Sequence, residues 1–182
     1  VVTFKDRRLL FRQCRTYLTG LGVPAAEVKT AFRAALAEDE RFRDALVETN
    51  RTILHESRSR GELTVLLAGR PYHTDPLIQH RLSEMVAGLG VNVVTDDLVR
   101  AEDVGTDDAH YVPQWAYANR ILRAAKWVAL QGPDVQCMQM TSFGCGPDAF
   151  LTDETRQLLA RHGKTLTLLK IDDVSNTGSI RL

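Results

Sequence analysis

The sequence predicts an α/β fold, in which an open, mostly parallel sheet of about four to five strands carries helices on both faces and follows an N-terminal helical arm. From residue 61 onward, short β-prone apolar runs alternate with segments of helical periodicity. Strands that alternate with helices form parallel sheets through right-handed crossovers. Before residue 61 only helical patterns occur. We therefore assign residues 1–60 to a helical arm or cap and residues 61–182 to the α/β domain.

The N-terminal part is predicted to be helical along its whole length. Residues 6–21 have helical spacing, and two glycines end the pattern. Pro24 suits the first turn of a second helix, and no glycine or proline follows it until after Ser59. The acidic run at residues 38–40 marks the place of a break, so the sequence predicts one long helix or two.

The first half of the α/β domain contains two predicted strands. Residues 63–68 are a continuous β-prone apolar run, which is typical of a strand buried on both faces. Residues 77–89 have helical spacing and end at glycines, and residues 91–95 form the second strand. Residues 96–111 are acidic and irregular, so we predict no regular element there.

The second half continues the alternation. Residues 115–125 have helical spacing and run toward, or into, a short strand at residues 127–130. Residues 135–140 are predicted as a strand, residues 148–162 as a helix and residues 166–171 as a further strand. No internal repeat is visible.

The distinctive loops of the sequence follow its predicted strands. They are GRPYHTDP at 69–76, TDDLV at 95–99, SFGCGPDA at 142–149 and IDDVSNTG at 171–178. Ligands of open α/β sheets bind beyond the carboxyl ends of the strands. We therefore expect these loops to converge on one rim of the sheet and to form a site there.

Composition excludes several classes of function. The 182 residues carry 23 basic and 23 acidic side chains without a basic stripe, so neither nucleic acid nor an anionic membrane is an expected partner. The apolar runs are too short to span a bilayer, and the N-terminus lacks the apolar core of a signal peptide. Three cysteines do not suggest a disulfide framework. We expect a cytoplasmic protein, and one cut from a larger chain, because it lacks an initial Met and ends on what reads as a helical turn.

The loop at 69–76 has a functional and a structural interpretation. Arg70, Tyr72 and His73 could present a cation, a hydroxyl and an imidazole to an anionic ligand. Alternatively, Thr74 or Asp75 caps the following helix and the tyrosine packs. The loop is not a glycine-rich phosphate loop, so no nucleotide is expected in this chain.

Cys145 has three interpretations. A thiolate at a strand-to-helix turn could be a nucleophile, but the Gly-x-Cys-x-Gly spacing fails, and a base would have to come from His73 or His80. It could be one ligand of a metal centre whose other ligands lie outside this chain, since no CxxC exists. It could also be a small apolar residue packed in a tight turn.

Other polar and aromatic residues are assigned structural roles. The acidic pairs at residues 96–97 and 172–173 are expected to cap helices or stay solvated, with metal binding as an unspecific alternative. Trp115 and Trp127 are expected in the core. The Asn119-Arg120 pair is expected on a solvated helix surface rather than at the rim.

Four segments together resemble one protein family. LLAGRPYHTDPLIQH, WAYANRILRAA, SFGCGPDAFLTDE and KTLTLLKIDDVSNTGSIRL are similar to the large acyl-CoA dehydratase activase-related proteins. These CoA-substrate-specific enzyme activases resemble fusions of the ATPase activator of 2-hydroxyacyl-CoA dehydratases with a dehydratase-like region of the benzoyl-CoA reductase type. The resemblance covers residues 60–182 well and the helical arm loosely.

The resemblance implies a Rossmann-like, dehydratase-like domain of anaerobic metabolism. In such proteins the activator hydrolyses ATP and passes a low-potential electron to an iron–sulfur cluster, which enables dehydration or reduction of a CoA thioester. It implies a [4Fe–4S] cluster in the complete protein, with Cys145 as a ligand, and an activator ATPase module as partner. A homo-oligomer is compatible with the sequence. Further rim candidates are Arg70, Tyr72, His73, Asp75, Ser142, Gly144, Gly146 and Asp148.

The departures from the family pattern limit what the chain does alone. The rim loop at 69–76 carries no thiol, and the ATPase phosphate loops are absent, so we expect the isolated chain to be inactive. The alternative from another class is a cluster-free scaffold or protein-interaction domain. A third hypothesis, a thiol-dependent hydrolase, requires a histidine within hydrogen-bond reach of Cys145.

Overall fold

The computed structural model describes residues 4, 6–75, 77–79, 81–105, 115–142 and 146–170. The chain forms two compact units, one up to Ala45 and the other from Leu46 onward. None of the helices in these ranges combines the length and the apolar character that crossing a membrane requires. The second unit contains a four-stranded parallel sheet flanked by helices, which confirms the predicted α/β class.

The first unit is built from two helices, α1 (Arg7–Gly20) and the N-terminal part of α2 (Ala25–Arg60). Helix α1 begins at residue 7 because the Asp6 carboxylate accepts the backbone N–H groups of two first-turn residues, at 2.9 and 3.0 Å. The rings of Phe11 and Phe32 pack with their centroids 5.1 Å apart. This aromatic contact joins the two helices within the unit.

Helix α2 is continuous, so of the two predicted possibilities this region forms one long helix. The acidic run does not interrupt it, because Glu38 pairs with Arg41 and Asp39 pairs with Arg43 one turn later. Oppositely charged side chains at this spacing lie on the same side of a helix and favour it. The last turns of α2 belong to the second unit. The assignment of residues 1–60 to an arm stays a prediction about domain organisation.

The sheet has the strand order β2-β1-β3-β4. Its strands are β1 (Thr64–Ala68), β2 (Asn92–Thr95), β3 (Val135–Thr141) and β4 (Leu166–Lys170). All three pairings are parallel. Every residue of β1 is buried, as its continuous apolar run predicts for a central strand.

Helices cover both faces of the sheet. On one face, α4 (Ala116–Ala129) and α5 (Gly146–Ala160) form the main core with Leu66 and Cys137. On the other face, α3 (Leu82–Gly88) packs on Leu67 and Met140. Because alternate strand residues point to opposite faces, neighbouring residues of β1 enter different cores.

Three predicted elements differ from the structure. The helix predicted at 77–89 begins only at Leu82, since Arg81 has a left-handed backbone with φ of 60°. The strand predicted at 127–130 is wrong, because α4 continues to Ala129. The segment predicted to be irregular begins with a 3₁₀ helix, Asp96–Ala101.

Candidate functional site

The loops after β1 and β3 meet at the carboxyl edge of the sheet, as the sequence predicts for this rim. Strand β1 lies between β2 and β3, so the chain leaves β1 toward one side and later returns to its other side. Such a topological switch point leaves a crevice between the diverging loops, and open α/β sheets bind their ligands there.

An ion pair joins the two loops. The guanidinium of Arg70 donates to Oδ1 of Asp148 at 2.5 Å, and the hydroxyl of Thr141 donates to Oδ2 at 3.3 Å. The Asp148 side chain is 12% exposed and that of Arg70 is 33% exposed. Because α5 begins at Gly146, the carboxylate also lies in the first turn of that helix, where a negative charge is favoured. Arg70 and Asp148, both predicted from the sequence as rim residues, thus form an ion pair that connects the two loops.

A buried histidine makes a second connection between the loops. His73 lies in a short 3₁₀ helix, Pro71–Thr74, and is 1% exposed. Its Nε2 lies 3.3 Å from Oγ of Ser142, and the hydroxyl of Tyr72 lies 3.2 Å from the same oxygen. On the other side of the ring, Nδ1 accepts the backbone N–H of Arg70 at 3.1 Å. Four predicted rim residues therefore form one hydrogen-bonded cluster.

The contacts of His73 fix its tautomer. Since a backbone N–H can only donate, Nδ1 is the acceptor nitrogen and Nε2 carries the proton that Ser142 receives. Burial lowers the pKa of His73 below its ordinary value; the Asp148 carboxylate opposes this and Arg70 adds to it. The imidazole is therefore a neutral donor with both nitrogens engaged. A group in that state orients Ser142 and is a poor general base for a serine or thiol nucleophile.

The close packing of this histidine explains the glycine before Arg70. A Cβ atom on Gly69 would lie 2.8 Å from Nδ1 of His73. Only a residue without a side chain lets the ring approach the end of β1 this closely. Gly69 was not singled out in the sequence, because only the position of the His73 ring makes it special.

Next to the Arg70–Asp148 pair lies a cleft of about 280 Å³, which we call the rim cleft. It runs between the first turns of α4 and α5, beyond the ends of β1 and β3. Its lining is mainly apolar and consists of Arg70, Trp115, Tyr117, Ala118, Ile121, Pro147, Asp148 and Leu151. An apolar cleft with a few charged groups at one end is the usual form of a small-molecule site.

The remaining rim candidates do not join this cluster. The carboxylate of Asp75 accepts the backbone N–H groups of Leu77 and Ile78, at 2.9 and 3.2 Å, so it caps a turn and not the helix that the structural interpretation predicts. Gly146 is the exposed first residue of α5. Gly144 and Cys145 lie outside the described residues, as does the loop at 171–178.

The described residues do not fit a complete iron–sulfur or metal centre. Within them, no group of three or more His, Cys, Asp or Glu side chains is arranged to hold a metal ion. Cys137 is buried in β3 among core residues, and Cys14 belongs to α1. Burial raises the pKa of the Cys137 thiol to about 12, so this sulfur is a poor thiolate donor.

A second cleft, of about 290 Å³, lies beyond the end of β2, and we call it the arginine cleft. The guanidinium of Arg120 donates to both carboxylate oxygens of Asp96, at 2.6 and 2.7 Å, and contacts Asp97 at 2.9 Å. Burial raises the pKa of the Asp96 carboxyl, and the hydrogen bonds of Arg120 oppose that rise. The cleft is lined by Asp96, Asp97, Val99, Arg100, Ala116, Asn119, Arg120 and Arg123.

Three structural assignments made from the sequence are corrected by these clefts. Trp115 is 44% exposed and lines the rim cleft, whereas Trp127 is in the core as predicted. Asp96 is not a solvated cap but a buried member of an ion pair. Arg120 is its partner rather than a solvated surface residue. The sequence signal for this ion pair is a pair of acidic residues at a strand end followed by an arginine on the next helix. That signal becomes useful only when the path of the chain from the strand to the helix is known.

One family model matches this chain. The model of the CoA enzyme activase uncharacterised domain (DUF2229) matches residues 1–99, which include both N-terminal helices, β1, β2 and the loop at 69–76. Neither the curated proteins nor the solved structures gave a match. The matched region ends before β3, so the Ser142–Asp148 side of the rim lies beyond it.

Proposed function

The chain belongs to the family of the CoA enzyme activase uncharacterised domain, and from this premise we propose that it is a dehydratase-like domain that binds the acyl end of a CoA thioester in the rim cleft. The observation that carries the proposal is the apolar cleft at the topological switch point, with the Arg70–Asp148 pair at one end. The process it would serve is 2-hydroxyacyl-CoA dehydration or a related reduction of a CoA thioester.

The lining of the rim cleft supports an acyl ligand. Trp115 and Tyr117 are exposed aromatic residues at the start of α4, and Leu151 and Ile121 lie deeper and are buried. Burial of apolar area contributes about 25 cal/mol per Å², so a short alkyl chain gains affinity from this lining without any specific polar contact. A volume of about 280 Å³ suits a short acyl group rather than a complete CoA molecule.

The charged end of the rim cleft supports recognition of a polar acyl substituent. Arg70 offers N–H donors to a carbonyl or hydroxyl oxygen, and Asp148 accepts a hydroxyl hydrogen. Both groups already pair with each other, so the ligand contacts a pre-organised pair rather than ordering two loose side chains. His73 is neutral and both of its ring nitrogens are engaged in hydrogen bonds, which supports a role in binding and positioning rather than in hydrolysis.

Calorimetric titration with butyryl-CoA and with free CoA tests the proposal. We expect butyryl-CoA to bind more tightly, and we expect Tyr117→Ala and Trp115→Ala to remove most of that difference. Leu130→Ala is the matched control, since Leu130 is an exposed apolar residue at the opposite end of the same helix. Equal affinity for the two ligands, or a Tyr117→Ala chain that still distinguishes them, would show that the rim cleft does not receive the acyl group.

We also propose that Cys145 provides one ligand of a [4Fe–4S] cluster whose other ligands come from outside this chain, with an activator ATPase module as the source of electrons. The support is the family membership and the position of Cys145 in the sequence, between the last residue of β3 and the first residue of α5. A cluster bound there would supply an electron for CoA-thioester chemistry. The described residues supply no further ligand set, so the chain alone would be inactive.

Anaerobic reconstitution with iron and sulfide, in the presence of the activator module, tests the cluster. Cys145→Ala should lower bound iron and visible absorbance, while Cys14→Ala, a thiol of α1, should change neither. Iron that is unchanged in Cys145→Ala would remove this residue from the ligand set. Absence of iron from every preparation would favour the alternative function below.

The alternative is a cluster-free scaffold or interaction domain, and the internal pairing of the rim favours it. Arg70, Asp148, His73 and Ser142 satisfy one another, as in a purely structural contact between loops. Co-purification with the activator module without iron or acyl-CoA binding would support the scaffold. Loss of that association when the rim is altered, for example in Arg70→Ala, would locate the interface.

A further inference from the structure

The arginine cleft holds more positive than negative side chains. Three arginines and two aspartates line it. Both aspartates are engaged by Arg120, which gives Asp96 two hydrogen bonds and Asp97 one contact. The nearby carboxylate of Glu102 is paired with Arg51 at 3.1 Å and does not add to the lining. The lining therefore has a formal excess of one positive charge.

Arg123 contributes a positive charge to the arginine cleft at a fixed position. Its guanidinium donates to the backbone carbonyls of Val104 and Glu102, at 3.0 and 2.8 Å. These neutral oxygens hold the planar group in position but do not neutralise its charge. The side chain is half-buried, and none of the described residues gives it a carboxylate partner. A half-buried cation attracts an anion more strongly than an exposed one, because screening by water and salt is weaker.

The arrangement selects a class of anion. A guanidinium carries five N–H donors and matches the geometry of phosphate oxygens; Arg123 gives two of them to backbone carbonyls, so three remain for a phosphate. The cleft volume of about 290 Å³ holds a phosphate or pyrophosphate group but lies at the low end for a complete organic ligand. The walls come from the 3₁₀ helix at Asp96–Ala101 and from one side of α4, so Arg100 and Arg123 face the same space from two elements.

We propose that the arginine cleft binds a phosphate-bearing ligand, with Arg123 as its main charged contact and Arg100 at the opposite wall. The phosphate groups belong either to a free inorganic anion or to a nucleotide-type ligand. The site does not depend on the acyl function proposed for the rim cleft, since no residue is common to the two linings.

Calorimetric titrations of the full chain with inorganic pyrophosphate and with adenosine 3′,5′-bisphosphate test the site. Binding should occur with at least one probe and should weaken as potassium chloride is added, because the contact is between charges. A preference for pyrophosphate identifies the inorganic source, and a preference for the bisphosphate identifies the nucleotide source.

Ala116 allows a variant that spares the arginine contacts. It is an exposed residue of the first turn of α4 and lines the cleft. Glutamate is favourable at a helix N-terminus, so Ala116→Glu should fold, while its carboxylate repels the ligand. We expect the dissociation constant to rise by about tenfold or more, whereas the uncharged Ala116→Gln should retain binding.

Two arginine variants complete the experiment. Arg123→Gln should abolish binding, and its thermal unfolding is measured as well because it also loses two carbonyl contacts. Arg156→Gln, at an exposed position of α5 outside both clefts, should bind like the parent chain. Failure of both probes to bind at low salt, or unchanged binding by Ala116→Glu, overturns the proposal and leaves the acyl proposal for the rim cleft unaffected.

Discussion

Replacement of Gly69 by alanine is the most direct test of how the rim is built. The added Cβ would lie 2.8 Å from Nδ1 and 3.0 Å from Cβ of His73. Non-bonded carbon atoms pack at about 3.5–4.0 Å, so one of the two residues must move. The imidazole has little room to retreat, because it is 1% exposed and its far nitrogen already contacts Ser142.

The expected loss of stability follows from these contacts. Forcing an extra methyl group into a packed site costs about 1–3 kcal/mol. If the ring shifts, it also weakens its hydrogen bonds with the backbone of Arg70 and with Ser142, at about 1 kcal/mol each. We therefore expect the free energy of unfolding of Gly69→Ala to fall by about 2–4 kcal/mol, a large share of the roughly 5–15 kcal/mol of a typical domain.

Urea denaturation followed by circular dichroism measures this change. Gly88→Ala is the matched control, since Gly88 is in α3 and a Cβ there would meet nothing within 4 Å. The control should be neutral or stabilising by up to about 1 kcal/mol, because alanine favours helices. A loss below about 0.5 kcal/mol in Gly69→Ala would refute the packing argument, as surface substitutions reach that value without any clash.

A double-mutant cycle with His73→Ala assigns the loss to the ring. Without the imidazole, the 2.8 Å contact to Nδ1 disappears, and only the contact to the His73 Cβ position remains. The Gly69→Ala substitution should therefore cost much less in the His73→Ala background. Equal costs in both backgrounds would mean that something other than the ring requires glycine.

The other predictions concern pH, the buried ion pair and a core thiol. Because burial lowers the pKa of His73, the unfolded chain binds more protons below about pH 6.5, so the free energy of unfolding should fall as the pH drops through that value. Urea titrations between about pH 5 and 8 should show that this component is missing in His73→Gln, and an identical pH dependence would contradict the assignment. Arg120→Leu should cost about 3–5 kcal/mol near neutral pH, since it leaves the buried Asp96 carboxylate without its guanidinium. This loss in the free energy of unfolding should be smaller at acidic pH, where Asp96 takes up a proton and is no longer charged. A loss that does not change with pH would argue against a buried charge at Asp96. Burial raises the pKa of Cys137 to about 12, so iodoacetamide should modify this thiol only after unfolding, as peptide mass spectrometry can establish. Rapid modification of the native chain would place Cys137 outside the core.

The sheet was predictable from the sequence because its strands obey a simple rule. A continuous apolar run such as Leu63–Ala68 fits a central parallel strand, and β1 is buried along its whole length. The crossover rule then brings the loops after β1 and β3 to one edge, which is how Arg70 and Asp148 could be named as rim residues without coordinates.

The local errors have physical causes that the sequence does not display. Trp127 and the residues after it are β-prone and apolar, but such a run also fits a buried helix face, and here α4 continues through it. The late start of α3 depends on the left-handed backbone of Arg81, which is unusual for a residue with a long side chain. The arginine cleft depends on the meeting of Asp96 with Arg120, two residues that only the folded crossover brings together.

The strand order also determines when the rim cleft can form during synthesis. Thr64 of β1 pairs with Asn92 on one side and with Val135, much later in the chain, on the other. Contacts between distant residues form more slowly than local ones, and chains emerge from the ribosome N-terminus first. Strands β1 and β2 can therefore pair while β3 is still being translated, and β1 keeps one unpaired edge for that interval. The rim cleft needs β1 and β3 side by side, so it can form only after β3 has been translated.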